Sequence, residues 1–253
     1  MSSDSNLFAD HFSSQAETYA RHRPHYPDAL FDWLAEQTEA RELAWDAGCG
    51  NGQASLGLAR RFGRVYASDP SAAQIEQCPV APNIEFVQEA AESCSLSADS
   101  VDLILVAQAY HWFDHPRFLA TVERVAKPGA VFCTVSYGLC QVDPEVDAVF
   151  MHLYDEVLGA YWPAERVHVE NGYRDLPMPG RAIDDPPAFS MRPTWDLASY
   201  LGYLASWSAT QRYKQATSDD PIKQTEALFR RAWGAAERAR PVEFPLSISL
   251  RRL

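Results

Sequence analysis

Residues 44–53 read AWDAGCGNGQ, and no other stretch of this chain restricts its fold as tightly. Gly48, Gly50 and Gly52 alternate behind a short apolar run, so the chain leaves a buried strand through a turn nearly devoid of side chains. Glycine tolerates positive φ and lets a ligand lie against main-chain N–H groups. Asp46 adds an acceptor at the same turn. Residues 64–69 (RVYASD) then read as the next strand, with Asp69 at its end. That is where an open α/β sheet holds a ribose by its hydroxyls.

The dinucleotide fingerprint is GxGxxG. Here the glycines give GxGxG with an acid two residues before the first, and no cationic cradle for a pyrophosphate stands beside them. A generic glycine turn with a surface acid is the plain alternative, but both features fall in order within one βαβ-sized stretch. On these residues the chain resembles the class I S-adenosylmethionine-dependent methyltransferases, whose first motif is a DxGxGxG turn and whose second strand ends in an acid. The resemblance implies S-adenosylmethionine as cofactor, held by Tyr19, Arg23, Asp46, Gly48, Cys49, Gly50, Gln53, Asp69, Pro70, Ala91, Glu92 and Gln108. It also shows a departure. The family's acidic turn after the third strand is EAAE here (residues 89–92), with Ala90 in the acid's place, so adenine recognition would rest on the backbone at Ala91 and on Glu92. An exposed acid is the other reading of Glu92.

From residue 43 to 137 short apolar runs alternate with helical stretches, a pattern that predicts a parallel sheet with crossover helices. Lys127-Pro128-Gly129 should stop the helix that precedes the last of these strands. The expected fold is α/β: a Rossmann-like, seven-stranded, mostly parallel sheet with a terminal antiparallel hairpin and an inserted helical lid. The chain reads as a single domain, 1–253. Within it lie a cofactor core (1–138, with an N-terminal helical segment), a lid and substrate region (139–240) and a terminal strand (241–253) that completes the sheet. Residues 139–187, rich in Pro, Asp, Tyr and Trp, read as an insertion over the carboxyl edge; 197–208 and 222–240 read as helices. Leu228, Phe229, Ala232 and Trp233 are expected on one face of the second helix. Pro245 argues against a fully central last strand.

Against 34 Asp and Glu stand 22 Lys and Arg, a formal charge of -12. Phosphate-backbone binding needs clustered cations, so nucleic acid is not the expected partner and a small molecule is. The five cysteines form no CxxC pair, which points to neither a disulfide framework nor a zinc site. His11, His152 and His168 lack metal-ligand spacing, and no metal is expected. No GxSxG elbow marks a hydrolase. With no basic leader and no apolar run near the ~20 residues of a membrane span, the expected setting is cytoplasmic, without a membrane partner. Oligomeric state leaves no mark in the sequence.

One cationic and aromatic cluster interrupts the acidic chain at residues 19–27 (YARHRPHYP), where an arginine could pair bidentately with a carboxylate. A solvated helix end is its plain reading. The Tyr and Arg-Pro-x-Tyr-Pro pattern resembles the opening of type 11 methyltransferases related to trans-aconitate methyltransferase. The HWFD string after the fourth strand is similar to that branch as well. The resemblance implies Arg21, Tyr26, His111, Trp112 and Trp207 on the substrate side, with His111 a base or an orienting group. Core packing is an equal reading for Trp112 and Trp207. A carboxylate acceptor, ionised at neutral pH with a pKa of roughly 4, would need only a cation. A phenol, amine or carbon acid would need a base such as His111 or His25. The expected activity is methyl transfer to a small molecule, possible acceptors including carboxylates. The competing reading is a noncatalytic protein that binds the cofactor for regulation.

Overall fold

The computed structural model describes residues 24–253; Tyr19, Arg21 and Arg23 lie outside the described residues. Helix α1 (Asp28–Glu36) turns Leu30, Phe31, Leu34 and Ala35 inward, an apolar stripe at helical spacing. There follow β1 (Leu43–Ala47), α2 (Gln53–Ala59), β2 (Arg64–Asp69), α3 (Ala72–Ile75), β3 (Ile84–Gln88), β4 (Val101–Ala107), α4 (His115–Val125) and β5 (Ala126–Tyr137). The five strands run parallel in the order β3-β2-β1-β4-β5.

Burial on both faces explains why these strands are continuous apolar runs. Ala44, Leu103, Leu105, Val131 and Cys133 enter the core on one face, while Trp45, Ile104, Val106 and Phe132 enter the core on the other. The chain steps outward from β1 to β3, then returns to β4 on the far side of β1. The crevice beyond the carboxyl ends of β1 and β4 is therefore the switch point where such sheets bind ligands.

Beyond β5 come α5 (Pro144–Met151), α6 (Arg166–Glu170), β6 (Arg181–Ile183), β7 (Ser190–Met191) and β8 (Thr194–Trp195). They are followed by α7 (Leu197–Ala205), α8 (Ser208–Thr217), α9 (Pro221–Trp233), β9 (Arg240–Pro241) and β10 (Phe244–Arg252). Asp143, Asp196 and Asp220 cap α5, α7 and α9 by accepting first-turn N–H groups. The core of this helical layer begins at Tyr137, the last residue of β5, and Phe244, the first of β10, so the layer sits over that end of the sheet.

The sheet ends in antiparallel strands, as expected, but not in a hairpin. β10 pairs with β5 on one side and with β6 and β7 on the other, and helices α7 to α9 separate it from those partners in sequence. Pro245 sits before the first β5 partner pair, Leu246 with Tyr137, and so interrupts no central ladder. α9 stops at Trp233, where Gly234 takes φ 82°, rather than running on to residue 240. Its buried stripe is Ile222, Thr225, Phe229 and Trp233; Leu228, one position and so about 100° round from Phe229, is 46% exposed.

Candidate active site

The glycine turn and the end of β2 form one hydrogen-bonded unit. Gly48 and Cys49 donate their N–H groups to the Ser68 carbonyl at 2.8 and 3.0 Å. Gly50 N–H donates to Asp69 Oδ2 at 2.9 Å, and Ser71 N–H donates to Asp69 Oδ1 at 2.9 Å. Gly48, Gly50 and Gly52 adopt φ of 71°, 54° and 81°, where a Cβ is strained. Crowding excludes side chains as well: a Cβ on Gly48 would stand 2.6 Å from Ala109 Cβ, and one on Gly52 2.8 Å from the Phe86 ring. On Gly50 it would meet only Gln74 Oε1, at 3.9 Å, so this is the glycine whose outer side faces open space.

A cavity of about 370 Å³ opens over this turn at the switch point. Asp46, Gly48, Cys49, Gly50, Gln53, Asp69, Pro70, Ala91, Glu92 and Gln108, which the resemblance implied for a cofactor, all line it. Tyr26 and Trp112 from the substrate set line it too. Sequence reasoning missed Asn51, Ser71, Gln74, Phe113 and Tyr137. Asn51, Ser71 and Phe113 stand inside or beside the quoted motifs and read there as turn or packing, while Gln74 and Tyr137 are brought in by α3 and the end of β5.

The wall is acidic. Asp46, Asp69 and Glu92 contribute carboxyl groups, and no Lys, Arg or His of the described residues lines the cavity. Burial pushes the Asp46 carboxyl up to about 7 against the opposing bond from Ser55 Oγ, at 2.6 Å, which holds Oδ2. Asp46 Oδ1 and Gln74 Oε1 are buried acceptors without a partner among the described residues. Burial also raises the Asp69 carboxyl, and the N–H groups of Ser71 and Gly50 oppose that rise. Each carboxylate oxygen keeps a second lone pair for a ligand hydroxyl.

Gln108 is held in the left-handed region at φ 58°. Its amide is spent on the backbone of Tyr137: Nε2 donates to the Tyr137 carbonyl at 3.1 Å and Oε1 accepts the Tyr137 N–H at 2.8 Å. It clamps the β4 and β5 ends together at the cavity wall. Glu92 is half-buried rather than fully exposed, and its Oε1 accepts the Asp114 N–H at 2.9 Å.

His111, which the resemblance implied on the substrate side, turns its ring away from the cavity toward Tyr173. His111 does not line the cavity; its Nδ1 lies 2.8 Å from the Tyr173 hydroxyl and its ring stacks on Tyr173. Burial, with Arg166 and His168 nearby, holds its pKa down to about 3. Trp207 is also away from the cavity, 6% exposed among Phe150, Tyr154, Trp162 and Tyr203. His25 is exposed and does not line the cavity.

A family model described as a methyltransferase domain matches residues 45–134, from the glycine turn through β5. A proposed methyltransferase of Dictyostelium discoideum is 32% identical over 230 residues, covering 89% of this chain and 87% of the relative. A solved structure from Anaeromyxobacter dehalogenans, proposed to be a type II methyltransferase, is 48% identical with a TM-score of 0.86, covering 91% of this chain and 97% of that one. The chain belongs to the class I S-adenosylmethionine-dependent methyltransferases. An uncharacterised methyltransferase of Mycobacterium tuberculosis matches at 38% identity over 119 residues, about half of each chain.

S-adenosylmethionine is this methyltransferase's cofactor, and the wall described above suits it. A ligand with a sulfonium and an ammonium gains from three carboxyl groups and from the unpartnered Gln74 Oε1.

Proposed function

We propose that the methyl acceptor is a small anionic molecule, a carboxylate being the reading best supported, and that the cofactor lies with its ribose on Asp69 and its amino-acid end toward Asp46. The observation that carries the cofactor placement is the coupling of Gly50 to both Asp69 and the open cavity. When bound, the cofactor supplies a methyl group on sulfonium sulfur, whose departure needs no proton.

The chain's own work is then alignment and exclusion of water. Ala91 and Glu92 stand where the adenine would be held, and the rings of Tyr26 and Tyr137 line the side nearest the helical layer. That layer, residues 139–240, acts as the lid in this reading. A carboxylate acceptor needs no base, in keeping with a cavity whose described lining includes no histidine. Its counter-charge would come from Arg21 or Arg23 in the segment before residue 24. His111 serves as a positioning residue through Tyr173. The kinship with the trans-aconitate methyltransferase branch rests on the 19–27 cluster and the HWFD string, and extends to substrate only by analogy. A cytoplasmic setting fits this chemistry.

The test is incubation with cofactor labelled in the methyl group and a mixed cell extract. Label in the small organic acids supports the proposal; label confined to RNA, DNA or protein refutes it.

A further inference from the structure

Two cysteines converge on the cofactor turn, and methyl transfer uses the sulfur of neither. Cys49 Sγ lies 3.6 Å and Cys78 Sγ 3.4 Å from the same acceptor, the Gly50 carbonyl oxygen. Cys78 Sγ also lies 3.5 Å from the Gln74 carbonyl oxygen. Cys78 follows α3 and is half-buried, whereas Cys49 is buried and lines the cavity. Cys94, Cys133 and Cys140 have separate partners: Arg124, the Thr134 carbonyl and Tyr200. No other cysteine pair among the described residues shares an acceptor.

We propose that Cys49 and Cys78 are a redox modification site, closing into a reversible disulfide that weakens cofactor binding, with a hydroperoxide as oxidant. The half-buried sulfur meets the oxidant first. The Cys78 thiol gives up its proton as its sulfur attacks the peroxide, the O–O bond breaks, and Cys78 becomes a sulfenic acid while the departing oxygen takes up that proton and leaves as water or alcohol. The Cys49 sulfur then displaces the sulfenic oxygen, which leaves as water with the Cys49 proton. Two thiols are oxidised by two electrons in all, and one peroxide bond is reduced.

The bridge reaches the cofactor through named atoms. The two sulfurs, each within 3.6 Å of the Gly50 carbonyl oxygen, must close to about 2.05 Å to bond, which draws Cys49 toward α3 and the adjoining Gly50 with it. Gly50 is the residue whose N–H holds Asp69, so the displacement is passed to the carboxylate assigned to the ribose. By linkage, bound cofactor must disfavour the bridge by the same factor.

The experiment titrates S-adenosylhomocysteine into the full-length protein, reduced and after one equivalent of hydrogen peroxide, with non-reducing peptide mapping of each sample. The expected result is a linked Cys49–Cys78 peptide, an affinity at least ~10-fold weaker, and full recovery with dithiothreitol. In a glutathione buffer the product should shift the thiol–disulfide balance by the same tenfold, about 30 mV. Cys78→Ala should show the same affinity before and after peroxide. The inference rests on the cofactor reading, and the reduced sample separates the two: if that sample fails to bind, both fall. Normal binding when reduced, with no linked peptide, with a linked peptide and unchanged affinity, or with Cys78→Ala still peroxide-sensitive, overturns the disulfide alone.

Discussion

The Gly50 N–H donates to Asp69 Oδ2 at 2.9 Å, which ties the glycine turn after β1 to the carboxylate at the end of β2. One carboxylate therefore does two jobs. It accepts N–H groups that shape the turn, and it presents its remaining lone pairs to the cavity. Asp69→Ala should consequently lose stability as well as affinity: about 1.5–3 kcal/mol in denaturant unfolding and at least ~100-fold in S-adenosylhomocysteine binding. Unchanged affinity in a folded variant would move the ribose elsewhere.

Asp46 makes binding depend on pH. Its folded pKa, about 7, is raised above that of the unfolded chain. Between pH 4 and 7 the folded state therefore holds more protons, and stability without ligand falls as pH rises through that window. A cationic ligand favours the ionised form, so binding releases a proton near neutrality. Affinity should rise at least ~10-fold from pH 5 to pH 7, with a calorimetric enthalpy that varies with the buffer's ionisation heat. Asp46→Asn should abolish both effects. An enthalpy independent of buffer at pH 7 would contradict this role.

His111, its folded pKa near 3, stays neutral across the working range. Because that pKa lies below the unfolded value, the unfolded state binds more protons between about pH 6.5 and 3, and stability declines on acidification through that interval. His111→Asn should keep most of the turnover and show no kinetic limb near pH 6.5. A ~100-fold fall in kcat that removes such a limb would restore His111 as a base.

Trp207 is expected to act through packing. Trp207→Ala should cost about 3–5 kcal/mol of stability, whereas Trp207→Phe should fold and leave the acceptor KM within about threefold of the parent. A stable Trp207→Phe protein with acceptor KM raised more than ~10-fold would put the indole in contact with substrate.

The legible parts of this protein are those written locally. Positive φ at three alternating glycines, an acid at a strand end and continuous apolar runs each follow from neighbouring residues, and the cavity wall collects most of that set. Gln74 was not legible as a site residue because it stands on a one-turn helix after β2 whose pattern reads as packing, and Tyr137 because the crossover from β3 back to β4 carries its strand to the turn. The direction of the His111 ring depends on Tyr173, 62 positions away in a segment of weak periodicity. β6, three residues long, carries too short a pattern to separate from loop. The Asp143-Pro144 start of α5, by contrast, was written in the sequence as a cap followed by a first-turn proline, and the composition of the region obscured it.

The cavity over Gly50 and Asp69 should take S-adenosylmethionine and its product rather than a dinucleotide. Thermal unfolding with S-adenosylhomocysteine, and separately with NAD, tests it in one plate. At ~100 times its dissociation constant the product should add about 2.7 kcal/mol of apparent stability, and NAD at equal concentration should add none. Stabilisation by NAD, with none by S-adenosylhomocysteine, would contradict the account.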